Sequence, residues 1–403
     1  MLVASNSQTQ TDFSATDAAL GYLYQVRWAL LSSLQRLAQN EEFAVYLETL
    51  DDVVFDRDGS ASELLQMKHH CDRAASLTDA SPDIWKSLRV WIEGRENRKI
   101  PKDAKLYLIT TSKVGDGSSA SYLTIDNRDE VKALAQLRST VNTSSNQKNE
   151  PAYKLFRYLQ PDEQAALIGS VVIFPNAPNI VRVEDALRSE ARLAVRRSHL
   201  DSFLTRLEGW WYQRVIRQLN DSSSSPILSS EIEGEFDILR EQFNPDALPV
   251  DQDILSADVD VTAYEDAVFV HQVRMVGIGN KRIFAAIRDY YRAFEQRSRW
   301  VREDLVLVGE LDRYEQLLRE EWELQFDRIS DELGENESEE IKREVARKIY
   351  AWVENSSFPI RSQVQHPSMT RGSFHMLSDR LKVGWHPEFM QHLQQILEPK
   401  GVT

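Results

Sequence analysis

The chain has 403 residues, 42% hydrophobic and 28% charged, with a net charge of −15 and one cysteine, Cys71. That length holds two or three domains with ordinary cores. The acid excess, with a pI of about 5.1, excludes a protein that coats DNA by bulk electrostatics and leaves room for a local basic groove or a partner that supplies positive charge. A lone cysteine excludes an intrachain disulfide. No run approaches the ~20 apolar residues of a membrane span, and the N-terminal MLVASNSQTQTD lacks the basic and apolar parts of a secretory signal. A soluble, cytoplasmic protein with no membrane contact is expected.

In chain order, residues 1–14 are polar and are expected to be disordered. Ser14 or Thr16 can cap a helix from Asp17 to Gln39, with Leu20, Leu23, Tyr24, Leu31, Leu34 and Leu37 as its apolar stripe. Tyr22, Gln25 and Arg27 lie off that stripe. Three short strands follow at Phe43–Glu48, Asp51–Asp56 and Leu64–His70, the last reached through a turn at Asp58, Gly59 and Ser60. Thr78 or Ser81 caps a second helix with Pro82 in its first turn. Trp85, Leu88 and Ile92 form its core face, while Lys86 and Arg89 lie off it, as phosphate contacts or as a solvated edge. Lys105–Ser112 reads as a fourth strand and 114–123 as a loop. Arg128–Leu137 is a short helix, and the polar stretch Ser139–Pro151 reads as flexible. Helices at Tyr153–Leu159 and Pro161–Ile168 precede a strand at Ser170–Phe174.

From Val183 to Asn220 the pattern is helical, with a break near Ser198. Arg188, Arg192, Arg196, Arg197, Arg206, Arg214 and Arg217 make this the most basic stretch. It either lines a DNA groove or oligomer interface, or pairs with Glu184, Asp185, Glu190 and Glu208. A serine linker (222–225) and a helix (Ser229–Gln242) lead to the acidic, proline-bearing 244–262, the expected domain boundary. The remainder is helical at Tyr264–Met275, Asn280–Trp300, Leu311–Ile329, Glu339–Asn355 and His386–Leu397. Phe284, Ile287, Tyr291 and Phe294 are expected to pack. His366, His375 and His386 receive no role.

The chemistry concentrates at 43–70. Glu48 ends the first strand, Asp51 and Asp52 open the second, and Gln66 and Lys68, two apart on the third, share one face of the sheet. Two carboxylates and a backbone carbonyl, that of Met67, provide the oxygen donors Mg²⁺ prefers, with Mn²⁺ as the alternative ion. Lys68 would orient or deprotonate a water and Gln66 would support a metal-bound one. This reads as a phosphodiester-cleaving metal site. The plain alternative is a solvated charged hairpin, but a lysine in an otherwise apolar run calls for a partner. Strand alternation allows only one of Asp51 and Asp52 to face the site. His69, His70 and Cys71 lack a second ligand pair at zinc spacing. No Walker motif and no G-x-G-x-x-G occurs, so nucleotide hydrolysis falls to a partner.

The pattern D…QxK resembles the glutamine variant of the PD-(D/E)xK restriction-endonuclease fold. The wider strings AALGYLYQVRWALLSSL (18–34), YLETLDDVVF (46–55), LLQMKHH (64–70) and SLTDASPDIWKSLRVWI (76–92) resemble the double-stranded DNA endonuclease domain of CD-NTase-associated effectors. The string AAIRDYYRAFEQRSRWVREDLVLVGELDRYEQLLREEWE (285–323) resembles the C-terminal module of the nuclease subunit of Lamassu-type, three-component ABC-ATPase defence systems. The resemblance implies Asp51 as the metal ligand beside Glu48, with Asp52 as alternate, and Gln25 beside the site. It implies a dsDNA substrate, an SMC-like ABC ATPase and a small middle subunit as partners, and a homo-oligomer when active. The expected architecture is an α/β restriction-endonuclease-like domain with a small mixed sheet at 15–245, an acidic linker at 246–262, and an all-α partner-docking domain at 263–403. The competing functions are a non-catalytic adaptor with a degenerate nuclease-like domain, and an unrelated α/β protein in which Q-x-K is coincidental.

Overall fold

The computed structural model describes residues 15–48, 52–68, 76–220, 225–334 and 337–397. They form two compact units. The first comprises the described residues of Met1–Ala194 with Leu204–Ile238, and the second Val195–Phe203 with the described residues of Leu239–Thr403.

The first unit is built on a six-stranded mixed sheet. Its strands are β1 (Ala44–Leu47), β2 (Val53–Arg57), β3 (Ser60–Lys68), β5 (Lys105–Thr110), β7 (Val171–Phe174) and β8 (Ile227–Leu228), in the order β7-β5-β3-β2-β1-β8. β3, β5 and β7 run parallel, while β3, β2, β1 and β8 pair antiparallel. A separate parallel pair joins β4 (Ser76–Leu77) to β6 (Lys113–Val114). The β2–β3 hairpin turns at Asp58 (φ 54°) and Gly59 (φ 80°). Two positive-φ residues in a tight hairpin twist with the strands, which is why the sequence has Asp-Gly there.

Helices cover both faces. α1 (Ala15–Leu37) and α6 (Ile180–Ala191) pack together on one side, and α7 (Leu200–Asn220) joins them. The α7 residue Trp211 donates Nε1 to the Val26 carbonyl at 2.8 Å, and Glu208 pairs with Arg27. Gln218 of α7 accepts the Leu47 N–H and donates to the Val45 carbonyl, both at 3.2 Å, satisfying β1 backbone groups beside short β8. On the other face lie α2 (Pro82–Glu96), α3 (Glu130–Thr143), α4 (Glu150–Tyr158) and α5 (Pro161–Ser170). Val54, Leu64, Leu106, Leu108, Val171 and Ile173 bury there against Trp85, Leu88, Trp91, Tyr153 and Phe156. The Trp85 ring meets Tyr153 edge-on at 4.6 Å, and its Nε1 donates to the Asp79 carbonyl at 2.7 Å.

The second unit is helical: α9 (Gln252–Leu255), α10 (Val268–Met275), α11 (Asn280–Arg302), α12 (Glu310–Ser330), α13 (Glu339–Asn355), α14 (Pro367–Asp379) and α15 (Phe389–Leu397). α8 (Ser229–Gln242), like α7, contributes residues to both units. The core joins Phe269, Val273, Ile287, Leu318, Trp322, Ile349, Tyr350, Phe374 and Trp385.

An α/β unit with a mixed sheet followed by an all-α unit is thus what the chain forms. Several expectations differ in detail. The stretch 139–151 is ordered: α3 runs on to Thr143, and buried Asn149 donates to the Ala80 carbonyl at 2.9 Å and to the Tyr153 hydroxyl at 3.1 Å. Its polar residues satisfy buried partners instead of water. The acidic 246–262 is not a linker apart from the units; it carries α9, buries Ile254, and its Asp253 takes a two-pronged bond from Arg299 at 2.8 and 2.9 Å. The units change over within α8. α14 and β8 were not anticipated. Phe284 and Phe294 are 51% and 43% exposed, because α11 turns Ile283, Ala286 and Ile287 inward instead. Leu23 likewise stands off the α1 stripe at 39% exposure. Among the arginines of α6 and α7, Arg188 pairs with Glu184, one of the expected acids, whereas Arg214 pairs with Glu231 of α8 and Glu208 pairs with Arg27 of α1.

Candidate active site

Three chain segments meet at one edge of the first unit's sheet: the end of β1, the entry to β2 and the end of β3. Tyr46 and Val54 are register partners, as are Val54 and Leu64, so they share the α2-facing side of the sheet. Alternation then carries Asp52, Gln66 and Lys68 onto that same side. Glu48 follows β1 in a left-handed conformation (φ 54°), and its N–H donates to the Asp52 carbonyl at 3.1 Å. That bond and the repulsion between their carboxylates make Glu48 and Asp52 neighbours at this end of the hairpin. Asp51, like His69, His70 and Cys71, lies outside the described residues.

Asp52 is the best-held carboxylate. The Met67 N–H donates to its Oδ2 at 2.6 Å, and the Gln25 side chain of α1 also bonds it. Met67 is a β3 residue whose N–H points past the end of β2. The carbonyl of a strand residue projects to the same side as its N–H, so that oxygen also faces the site. Burial pushes the Asp52 carboxyl above its ordinary value, against Lys68, the Met67 and Gln25 bonds, and Lys86. Glu48 is raised by partial burial and then by Asp52, with Lys68 opposing. Gln66 is 4% exposed, and its Oε1 is buried without a hydrogen-bond partner. Two carboxylates with raised proton affinity, an unpartnered amide oxygen and a lysine fit a hard divalent cation. Such a charge would relieve the repulsion, and oxygen donors are what Mg²⁺ and Mn²⁺ take.

A cleft of about 180 Å³ lies between α2 and α4 and is lined by Lys86, Arg89, Lys148 and Asn149 as well as Asp83 and Trp85. Lys86 is close enough to act on Asp52, so the basic cleft and the acidic edge are neighbours. Lys148 was missed in the sequence because its surroundings read as flexible. Tyr22 was also missed: burial, Glu48 and Tyr212 raise its hydroxyl, which puts it beside the site. No sequence pattern distinguishes it from any other helix tyrosine.

The C-terminal helices supply the comparison that bears on family. Residues 269–393 match the model of C-terminal domain 7 of the ABC-three component (ABC-3C) systems. The match lies wholly in the second unit. No curated protein matches the chain. Among solved structures, the Acinetobacter baumannii Cap4 SAVED/CARF-domain containing receptor is similar in three forms. With the cyclic trinucleotide 3'3'3'-cAAA the identity is 14%, the TM-score 0.31, and the match covers 69% of this chain and 66% of that one. With 2'3'3'-cAAA the values are 15%, 0.31, 69% and 66%, and for a third structure of the receptor 15%, 0.32, 69% and 68%. The chain thus spans about two thirds of that receptor's length, and superpositions this loose carry no weight for fold or function. Among the described residues, no helix is long and apolar enough to cross a membrane.

Proposed function

We propose that this chain is the DNA-cleaving effector of an ABC-three component anti-phage defence system of the Lamassu type, with a PD-(D/E)xK-like nuclease unit and a C-terminal helical unit that docks on the other components. The observation that carries the reading is the convergence of Glu48, Asp52, Gln66, Lys68 and the Met67 backbone on one sheet edge, beside the basic cleft of Lys86, Arg89 and Lys148. The match of residues 269–393 supports the system assignment.

In this reading Glu48, Asp52 and the Met67 carbonyl hold Mg²⁺ or Mn²⁺. The ion, when bound, supplies charge to the scissile phosphate and lowers the pKa of a bound water. Gln25 and the Met67 N–H fix the Asp52 carboxylate. The Gln66 Oε1 accepts a hydrogen bond from a water in the site, and Lys68 Nζ orients the attacking water and shields the departing charge. Lys86, Arg89 and Lys148 hold phosphates of the double-stranded DNA on either side. Since the net charge of −15 disfavours DNA away from this patch, assembly of several copies, or an SMC-like ATPase and a small middle subunit, would strengthen and control the contact.

The test is cleavage of supercoiled plasmid with Mg²⁺, with EDTA, and with the Lys68→Ala and Asp52→Asn chains over a series of protein concentrations. Metal-dependent nicking that both substitutions abolish is the expected result. Equal nicking by the substituted chains would dismiss the assigned site. No cleavage by the folded chain, alone or with its partners, would leave the non-catalytic adaptor.

A further inference from the structure

Glu339, His386 and His392 gather in the second unit, away from the candidate active site. Glu339 opens α13, His386 precedes α15, and His392 lies within α15. Their ligand atoms all fall within 4.8 Å of one another, the only group of three metal-ligating side chains that close among the described residues. His386 is 2% exposed, and its Nε2 and that of His392 are buried without a hydrogen bond. The two rings cross at 81° with centroids 4.9 Å apart. His386 Nε2 stands 3.4 Å from Glu339 Oε1. Two ligands at about 2.05 Å on a tetrahedral Zn²⁺ are separated by roughly 3.3 Å, so this edge already has the needed length. The remaining edges close by moving Glu339, whose side chain is half exposed, and His392, which is about one third exposed.

We propose that Glu339, His386 and His392 form a Zn²⁺ site, with water as the fourth ligand, that ties the start of α13 to α15. Two imidazoles and one carboxylate favour Zn²⁺ over Mg²⁺, which takes oxygen donors. Burial, first, and then His392 and Lys342 hold the His386 imidazole below its ordinary value against Glu339 and Glu388, so the ring is neutral and able to ligate. Lys342, the nearby cation, is held at 2.6 Å by Glu388. The other ring nitrogen has a task of its own: His386 Nδ1 accepts the Glu388 N–H at 3.1 Å, as His366 Nδ1 accepts that of Ser368 at 3.4 Å. In each case a proline follows the histidine, and the ring caps a helix start. In the metal-free protein the cap puts the His386 proton on Nε2. With Zn²⁺ on Nε2 the ring proton would sit on Nδ1, and the Glu388 N–H would lose that acceptor. The site therefore exchanges one cap for a metal link between two helices. The sequence hides it, because Glu339 lies far from the histidines and their spacing matches no zinc motif.

The proposal stands apart from the nuclease reading and is tested with Zn²⁺ alone. The full chain carrying Asp52→Asn and Cys71→Ser, which takes one ligand from each of the other candidate metal sites, is stripped with chelator and titrated by calorimetry. Co²⁺ substitution reports coordination through its visible absorption. One equivalent is expected to bind, with a four-coordinate Co²⁺ spectrum and a raised melting temperature. His392→Ala should weaken binding by about tenfold or more. If His392→Ala does not fold, Glu339→Gln, at an exposed position, decides by altering the Co²⁺ spectrum. Absence of uptake at about 100 µM free Zn²⁺, or uptake that neither substitution alters, would overturn the site.

Discussion

Asp52 is where stability and chemistry pull against each other. Its carboxyl is raised above the ordinary 3.8 by burial, and Glu48 is raised beside it. A raised carboxyl binds its proton more tightly in the folded chain than in the unfolded one. The penalty is absent below the unfolded value, grows as pH rises through the folded value, and is complete above it. Asp52→Asn keeps an acceptor for the Met67 N–H and removes the charge. The expected outcome is a metal-free protein that melts higher than the parent at pH 8 but not at pH 3.5, read by calorimetry. Mg²⁺ should raise the melting point of the parent and leave Asp52→Asn unmoved. Cleavage by this variant should fall by roughly 10²-fold or more, since the carboxylate both places the cation and faces the lysine. Equal pH profiles for the two chains would show that Asp52 carries no buried charge of consequence.

Much of this site could be read from residues alone. Gln66 and Lys68 share a face because a strand has period two, and Glu48 stands at a strand end. The choice between Asp51 and Asp52 could not be read that way. The register of Val54 with Tyr46 and Leu64 puts Asp52 on the α2-facing side, while Asp51 lies outside the described residues. The basic residues form a second residue-scale test. Lys86→Ala and Lys148→Ala should weaken dsDNA binding with little sequence preference, each lowering the log K against log salt slope by about 1. Fluorescence anisotropy with the Lys68→Ala chain measures this without cleavage. An unchanged slope would remove the cleft from the DNA path.

At the scale of elements, α14 is the instructive case. PSMTRGSFHMLSD has no apolar stripe of the usual kind, yet Ser368, Thr370, Gly372, Ser373, His375 and Ser378 are all buried. Small polar side chains suit a helix pressed against another backbone. At Gly372 an added Cβ would lie 2.0 Å from the Asp289 carbonyl oxygen and 2.5 Å from the Ala293 Cβ, both of α11. Gly372→Ala must therefore push the two helices apart, at a cost of about 1–3 kcal/mol or more. Chemical denaturation of the full chain should show this loss, and a variant as stable as the parent would mean the crossing is looser than described. Around the same crossing, Arg371 pairs with Asp289 and Arg297 reaches Ser373, while Asp289 Oδ1, Arg297 Nε, His375 Nδ1 and Ser378 Oγ stay buried without a hydrogen bond. Helices with strong apolar periodicity, such as α13, were placed correctly from the sequence because their burial follows the period. α14 was not, because its burial follows the shape of a neighbour.

At the scale of the whole molecule, the proposed function with a charge of −15 and a small basic cleft predicts that one copy holds DNA weakly. Cleavage by the isolated chain is expected to rise more steeply than the first power of its concentration, with size-exclusion chromatography showing larger species over the same range. A strictly linear dependence by a monomer would remove self-assembly as the switch. The division into two units had a legible basis, a strand-bearing part followed by a helical one. Its position was misread because acidity and prolines at 244–262 suggest solvent. Instead Asp251 and Asp253 meet Arg299, Trp300 donates Nε1 to the Pro249 carbonyl at 2.7 Å, and the segment belongs to the second unit's body.

The sequence by itself determined which stretches could be strands or helices, that Gln66 and Lys68 share one face of a strand, and that no Walker motif and no G-x-G-x-x-G occurs. These follow from local periodicity and side-chain chemistry, which act over a few residues. Tertiary structure alone decided that β8, two residues long, pairs with β1 at the end of the sheet, that Lys148 and Asn149 line a cleft with Lys86 and Arg89, and that Glu339 meets two histidines from the far end of the second unit. Each of those depends on partners many residues away, and only the packed chain brings such partners together.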